Sequence, residues 1–237
     1  MTRTALLTAA ALILGACAEA PTRAQTDGEN TEPRAEPKVM VASAVSGPQA
    51  PYTADVPDGF ATAIFAGGCF WCVEKDFEEV PGVIEVVSGY SGGVLDNPTY
   101  KQVSYTETGH YEAAEVTFDP DVVSYRELVD YFWTTVDPTD DTGQFCDKGS
   151  SYRTAVFVTP EQRAEAEASL AAVRADKPFG APIVTPILDA VTFYDAETYH
   201  QDYYRKNPVR YKAYRTSCRR DARLKKLWGD GAKAVPR

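Results

Sequence analysis

The sequence predicts a sandwich of the α/β or α+β class, with helices packed against one face of a sheet. Three observations carry this. Runs with β-like composition alternate with segments whose apolar residues recur at helical spacing. The first crossover, from residues 60–66 through 69–80 to 83–88, is short. A chain of 237 residues suffices for one well-buried domain plus appendages, or for two small domains.

In order, residues 1–17 read as a secretory signal. Arg3 supplies the positive start, and residues 5–14 form an apolar core. That core is shorter than the roughly 20 residues a transmembrane helix needs. It ends in Leu14-Gly15-Ala16-Cys17, which is similar to a bacterial lipoprotein box whose cysteine is lipidated and becomes the new N-terminus. The expectation is a lipid anchor on Cys17 in a bacterial cell envelope, with the chain facing the periplasm. Ala18 after the cysteine favours the outer membrane. Residues 18–57 are rich in Ala, Pro, Thr, Glu and Gln and have hardly any aromatics. They cannot bury enough apolar surface to offset ordering entropy, so a disordered tether is expected.

The folded domain is expected over residues 58–229, with a tail at 230–237. Residues 60–66 are a strand that enters a glycine turn. Phe70, Val73, Phe77 and Val80 follow at helical spacing, and Pro81-Gly82 stops the helix. Residues 83–88 are a second strand, ended by Gly89-Tyr90-Ser91-Gly92-Gly93. Residues 94–109 are polar and Gly-containing and read as a functional loop. Residues 112–118 alternate as a third strand. Ser124 and Glu127 form a capping box for a helix with Leu128, Val129, Phe132 and Trp133 on one face. A polar loop over 137–151 precedes a fourth strand at 152–158. Pro160 marks the start of a helix reaching about residue 175. Short extended pieces at 183–188 and 191–194, a helical patch at 196–205 and a helical C-terminal extension at 211–228 complete the domain.

The formal net charge is −10. Such an acidic balance argues against general nucleic-acid binding, which needs a basic face. The cysteines are Cys17, Cys69, Cys72, Cys146 and Cys218, too few for a disulfide scaffold but enough for redox pairs.

The chemistry centres on Gly67-Gly68-Cys69-Phe70-Trp71-Cys72. A cysteine at a helix start meets unpaired N–H groups and the positive end of the helix dipole. Both predict a thiol more acidic than usual, so Cys69 is the candidate nucleophile. Such a nucleophile needs an acid for the leaving atom and a group to resolve the product. Glu112, at the start of the third strand with Tyr111 and Tyr100 as candidate neighbours, fits the acid, because a carboxyl buried beside aromatics keeps its proton. Asp147, Tyr105, Tyr152 and His110 lie in the same group of loops. Phe70 is either core or, with Trp71, a pocket for a small apolar group such as a thioether methyl. His110 with Asp147 also allows a Cys–His protease reading, and His200 reads as surface or structural. The Cys69–Cys72 pair reads as a redox dithiol. A zinc site with Cys146 and Cys218 is discounted because those two are single and far apart.

The motifs together resemble the peptide methionine sulfoxide reductase A family. Beyond the cysteine motif they include Gly89-Tyr90-Ser91-Gly92-Gly93, Asn97-Pro98-Thr99-Tyr100, Gly109-His110-Tyr111-Glu112-Ala113 and Asp137-Pro138-Thr139. Gln144-Phe145-Cys146-Asp147-Lys148-Gly149-Ser150-Ser151-Tyr152-Arg153, Tyr199-His200-Gln201 and Lys206-Asn207-Pro208 extend the resemblance over residues 60–210. It implies a ferredoxin-like two-layer sandwich with long loops and reduction of the S epimer of methionine sulfoxide, free or in proteins. It implies that Cys69 attacks sulfur, that Glu112 protonates the oxygen and that Tyr100 and Tyr152 hydrogen-bond that oxygen. Phe70 and Trp71 would hold the methyl, with Asp147 at the amide side. No organic cofactor or metal is implied, only an external thioredoxin-like dithiol reductant. A monomer is expected.

The chain departs from the commonest family pattern at the resolving thiol. Many members have Gly where Cys72 stands and resolve from cysteines in a Gly-rich tail. Here the tail holds Cys218 alone and no Gly run. Cys72 is expected to resolve first, with Cys218 or Cys146 relaying the disulfide outward. A structural Cys146–Cys218 bridge is the alternative. The rival classes are a thioredoxin-like thiol–disulfide oxidoreductase using Cys69 and Cys72, which needs neither Glu112 nor the tyrosines, and a non-enzymatic lipoprotein binding module.

Overall fold

The computed structural model describes residues 50–236. The expected signal with Cys17, and the tether as far as residue 49, lie outside the described residues.

The first strand, β1 (Ala61–Gly67), runs into α1 (Phe70–Glu78) and then β2 (Val83–Ser91). After α2 (Tyr100–Tyr105) come β3 (Tyr111–Phe118), α3 (Tyr125–Thr135) and a minimal hairpin of β4 (Gly143–Gln144) and β5 (Asp147–Lys148). A 3-10 turn (Ser150–Tyr152) leads to β6 (Thr154–Val158) and α4 (Arg163–Asp176). The chain ends with β7 (Ile187–Asp189), β8 (Tyr194–Asp195), α5 (Tyr203–Lys206), α6 (Pro208–Ser217) and α7 (Arg220–Trp228).

The main sheet has the order β7-β6-β1-β3-β2-β8. Its four central strands are antiparallel. They form two interleaved units, β1-α1-β2 and β3-α3-β6, which is the ferredoxin-like arrangement the resemblance implied. β7 adds in parallel to β6, so the sheet is mixed.

The alternation along β1 and β3 explains the layering. Ala63 and Phe65 share one face of β1 with Ala114, Val116 and Phe118 of β3, and bury it against Val73, Phe77, Leu128, Phe132 and Trp133. Phe65 stacks between Phe77 at 4.7 Å and Phe132 at 5.1 Å. The opposite face, with Ile64, Ala113, Ala155 and Phe157, is covered by Tyr52, Leu188 and Phe193. Pro51 bridges Val191, and the Tyr52 hydroxyl donates to Thr62 at 3.0 Å and to Glu115. The last residues of the expected tether therefore lie against the sheet. At the other end Lys233 of the expected tail pairs with Asp76 at 2.7 Å.

Several local expectations change. Gly89-Tyr90-Ser91 continues β2 instead of ending it, because each pairs in register with β3 and Tyr90 stands opposite Glu112. The expected loop at 94–109 contains α2, started by a Thr99–Gln102 capping box. Tyr152 sits in the 3-10 turn, not in β6. The α4 helix begins three residues after Pro160, behind a Thr159–Gln162 turn. The patch at 196–205 is helical only at its end. The C-terminal extension is two helices, broken where Arg219 takes φ 56°. Among the described residues no helix is long and apolar enough to cross a membrane.

Candidate active site

The glycine turn sets the site. Gly68 has φ +79°, and a Cβ there would lie 2.5 Å from the Cβ of Gln144. Gln144 is immovable because its amide pairs with both the N–H and the C=O of Asp137, at 2.9 and 2.8 Å. The turn delivers Cys69 to the N-cap of α1, where its carbonyl accepts the N–H of Cys72 at 3.0 Å.

A cavity of about 210 Å³ opens at Cys69. Phe70 and Trp71 of α1, Tyr100 of α2, Glu112 of β3, Asp147 of β5 and Tyr152 complete its wall, together with Tyr214 of α6. Six separate elements thus converge on one sulfur. A larger cleft of about 690 Å³ lies elsewhere and includes six carboxylates among its thirteen lining residues.

Glu112 is 1% exposed, and its Oε2 accepts the Phe70 N–H at 3.1 Å. Burial pushes its pKa up to about 8, against the opposing pull of that hydrogen bond. It holds a proton at neutral pH. Burial also raises Asp147, while the hydroxyl of Tyr214, which donates to Asp147 Oδ2, works the other way. Burial raises Tyr100 and Tyr152 as well, so both stay neutral donors.

Cys69 corrects the expected acidity. Burial comes first, then its hydrogen bond with Cys72 and the electrostatic influence of Cys72 and Glu112, and these push its thiol up, the direction opposite to the one the helix start favours, while the Tyr214 hydrogen bond works to lower it. Cys72 moves the other way, down to about 6, through the Cys69 hydrogen bond and the Arg220 and Arg215 charges, in spite of burial. The two thiols titrate as a coupled pair, with burial raising Cys69 and the Cys69 hydrogen bond and two guanidinium groups lowering Cys72.

Trp71 is fixed on both faces of its environment. It stacks on Tyr203 at 3.7 Å, and its Nε1–H donates to His200 Nδ1 at 3.0 Å.

Residues 61–232 match the protein family described as peptide methionine sulfoxide reductase. The chain is also 56% identical to peptide methionine sulfoxide reductase MsrA 2 of Caulobacter vibrioides, over 71% of this chain and 85% of that one. The chain belongs to the peptide methionine sulfoxide reductase A family. Among solved structures, reduced Mxr1 from Saccharomyces cerevisiae superposes with a TM-score of 0.60 at 32% identity, covering 65% of this chain and 88% of that one. Methionine sulfoxide reductase A of Corynebacterium diphtheriae gives 0.58 at 32% identity, covering 70% and 88%. The chain is therefore an enzyme that reduces methionine sulfoxide to methionine by thiol chemistry.

In this reductase the residues expected at the site, Cys69, Phe70, Trp71, Tyr100, Glu112, Asp147 and Tyr152, line one cavity. Others expected near it do not. His110 is buried away from Cys69, where its ring accepts the Gly93 N–H at 3.2 Å and donates to the Leu95 carbonyl at 2.8 Å. No protease triad forms. Cys218 is joined to Cys146 in a disulfide, so it is not a free thiol beside Cys69, whereas Cys69 and Cys72 are both free.

Tyr214 and Glu197 were not expected at the site, and His200 was expected only as surface or structural. Tyr214 closes the cavity. His200 is buried, held neutral by a pKa lowered to about 4 through burial, and orients Trp71. Glu197 accepts the Tyr90 hydroxyl and the Tyr100 N–H, each at 2.9 Å, and so seats α2. Only Tyr214 left a signal: it lies one helical turn before Cys218, and Cys218 is bonded to the neighbour of Asp147.

Proposed function

We propose that this reductase acts on the S epimer of methionine sulfoxide, in proteins and free, with Cys69 as nucleophile. The observation that carries the reading is a buried Glu112, its pKa pushed up to about 8 by that burial, in the same small cavity as Cys69 and the Phe70–Trp71 wall. The three walls differ chemically. The apolar pair suits the methyl, the Glu112–Tyr100–Tyr152 side suits the oxygen, and the Asp147–Tyr214 side suits the rest of the residue. A sulfur with three distinct substituents fits such walls in one hand only.

Cys69 passes its proton to Cys72 and attacks the sulfoxide sulfur. Glu112 protonates the oxygen, the sulfur–oxygen bond breaks, and the oxygen is left on Cys69 as a sulfenic acid. Methionine leaves, reduced by two electrons. Cys72 then attacks Cys69 Sγ, the departing hydroxide takes the Cys72 proton, and water and a Cys69–Cys72 disulfide result. Glu112 regains its proton from solvent. A thioredoxin-type dithiol returns the pair to thiols. No metal or organic cofactor enters these steps.

The test uses Cys72→Ser without reductant, offered each sulfoxide epimer. One methionine per enzyme from the S epimer, no Cys69–Cys72 disulfide and lost recycling are expected. Product from the R epimer, or normal recycling, sinks the reading. The single-turnover product also excludes a thioredoxin-like exchange protein, which has no sulfoxide chemistry.

For location, the proposal is a monomer anchored to the cell envelope by lipid on Cys17, facing the periplasm. Mass analysis of the N-terminal peptide from membranes tests it, and an unmodified Cys17 rejects it.

A further inference from the structure

The two C-terminal helices bring an unusual set of groups to Cys72. Its Sγ lies 3.6 Å from the Tyr211 hydroxyl. That hydroxyl accepts a hydrogen bond from Arg215 Nη1 at 2.9 Å, so its own proton points to the sulfur. Arg215 is held in turn by Asp76 at 3.0 Å and Asp221 at 2.6 Å, and Lys233 takes the other oxygen of Asp76.

Arg220 stands in the same buried region. It is 2% exposed and donates to the carbonyls of Gly67 and Thr135 at 2.9–3.1 Å. Its guanidinium lies over the Phe145 ring. Among the described residues no carboxylate forms an ion pair with it. A buried cation without a carboxylate favours an anion nearby, and Cys72 is a sulfur that can supply one. The titratable and charged groups facing Cys72 are Cys69 and Asp76 of the α1 segment, Glu112 of β3, Tyr211, Tyr214 and Arg215 of α6, and Arg220 of α7. The two carboxyls oppose a charge on Cys72. The hydroxyl and the two guanidinium groups favour it.

We propose that Tyr211 and Arg215 are positioning residues for the second step, holding Cys72 as the anion that attacks the Cys69 sulfenic acid. Cys72 first gives up the proton it took from Cys69; the anion then forms the sulfur–sulfur bond as the Cys69 sulfur–oxygen bond breaks, and the departing hydroxide takes that one proton to leave as water. Tyr211 and Arg215 do not line the cavity, and Tyr211 reaches the Cys72 sulfur, so their effect falls on the resolving thiol. This inference rests on Cys72 being the resolving residue.

The experiment follows Cys69–Cys72 disulfide formation after mixing reduced full-length enzyme with one equivalent of methionine sulfoxide, by acid quench, alkylation and peptide mass, across pH 5–9. Tyr211→Phe keeps the ring and removes the hydroxyl. Its midpoint for disulfide formation is expected to rise by about one pH unit, the size of one lost hydrogen bond to a charged group. The rate then falls about tenfold below the wild-type midpoint and recovers well above it. Arg215→Lys keeps the charge beside Asp76, loses the fork to Tyr211, and is expected to shift the midpoint in the same direction by less. Methionine released in the first turnover reports that each variant is folded.

A Tyr211→Phe profile slowed by one factor at every pH overturns the inference, because that is what a merely structural role gives. An unmoved profile overturns it too. In both cases the Cys72 assignment stands, since the disulfide still forms there. Wild-type enzyme that resolves without a Cys69–Cys72 disulfide removes the assignment itself and this inference with it.

Discussion

The Glu112 carboxylate accepts the main-chain N–H of Phe70, 3.1 Å away, in the first turn of the helix that Cys69 caps. The proposed acid and the proposed nucleophile are thereby fixed to one another through a single backbone position. The proton of Glu112 is available up to about pH 8. The rate of the first turnover is expected to fall as pH rises through that value, with the acid lost by ionisation. Glu112→Gln keeps the shape and has no proton to give. A loss of about 10²- to 10⁴-fold is expected in single-turnover methionine formation, the usual range for a removed general acid, and the pH-dependent fall should vanish. A variant that retains the wild-type profile would remove Glu112 from the chemistry.

The same carboxyl makes the fold sensitive to alkali. In the unfolded chain Glu112 loses its proton near 4.5, while in the folded chain it keeps it to about 8. Over that window the native state binds more protons than the unfolded one, so this group's contribution to stability declines as pH rises. Glu112→Gln has no such term. Thermal melts at pH 5 and pH 9 should show a smaller loss of Tm for the variant than for the wild type. An equal loss in both would mean that the carboxyl is not paying the burial cost assigned to it.

Trp71 and His200 are joined by a 3.0 Å hydrogen bond from the indole to Nδ1, and the ring is neutral. His200→Leu removes the acceptor and leaves the indole N–H without a partner, at a cost of about 1–3 kcal/mol in stability. Because Trp71 is a wall of the cavity and not the reacting atom, KM for methionine sulfoxide should rise more than kcat falls. His200→Asn, with a carbonyl that can accept, should recover part of the loss. Steady-state kinetics of the two variants decide this, and equal kinetics for Leu and Asn would show that the hydrogen bond is irrelevant.

Much of this was legible in the sequence, for reasons that can be named. The periodicities of β1, β3 and α3 and the Ser124 capping box carry a sandwich with helices against one sheet, because each is a local pattern that tertiary packing reinforces; the ferredoxin-like topology is what the motif resemblance implies. That Cys69 and Glu112 are candidates for one site was legible because a helix-start cysteine and a carboxyl among aromatics are local chemistry, and both line the same cavity. The misses are long-range. Helix α2 is six residues long, and its Thr99–Gln102 cap lies in a stretch whose polarity reads as loop. The dipole argument for Cys69 is local, whereas the burial that raises its thiol comes from Tyr203, Tyr211 and the C-terminal helices. His200 and Glu197 act only through Trp71 and Tyr100, and nothing near them in the chain announces those contacts.

The bridge between Cys146 and Cys218 closes a separation of 72 residues, with the Cα atoms 4.9 Å apart. It ties the β4–β5 hairpin to the end of α6. Asp147 follows Cys146, Tyr214 precedes Cys218 by one turn, and the two side chains bond to each other across the same junction. The bridge therefore clamps one wall of the cavity. Cys146→Ser with Cys218→Ser should lower stability by up to about 4 kcal/mol, the chain-entropy value for a loop of this length, as read by denaturant unfolding. The first turnover and the Cys69–Cys72 disulfide should still form, because neither uses these sulfurs, while KM should rise as the Asp147–Tyr214 wall loosens. Recycling by thioredoxin separates a clamp from a relay. If the double variant forms its Cys69–Cys72 disulfide normally and recycles at the wild-type rate, the bridge is structural. If recycling alone collapses, Cys218 and Cys146 carry the disulfide outward and the clamp is not their main role.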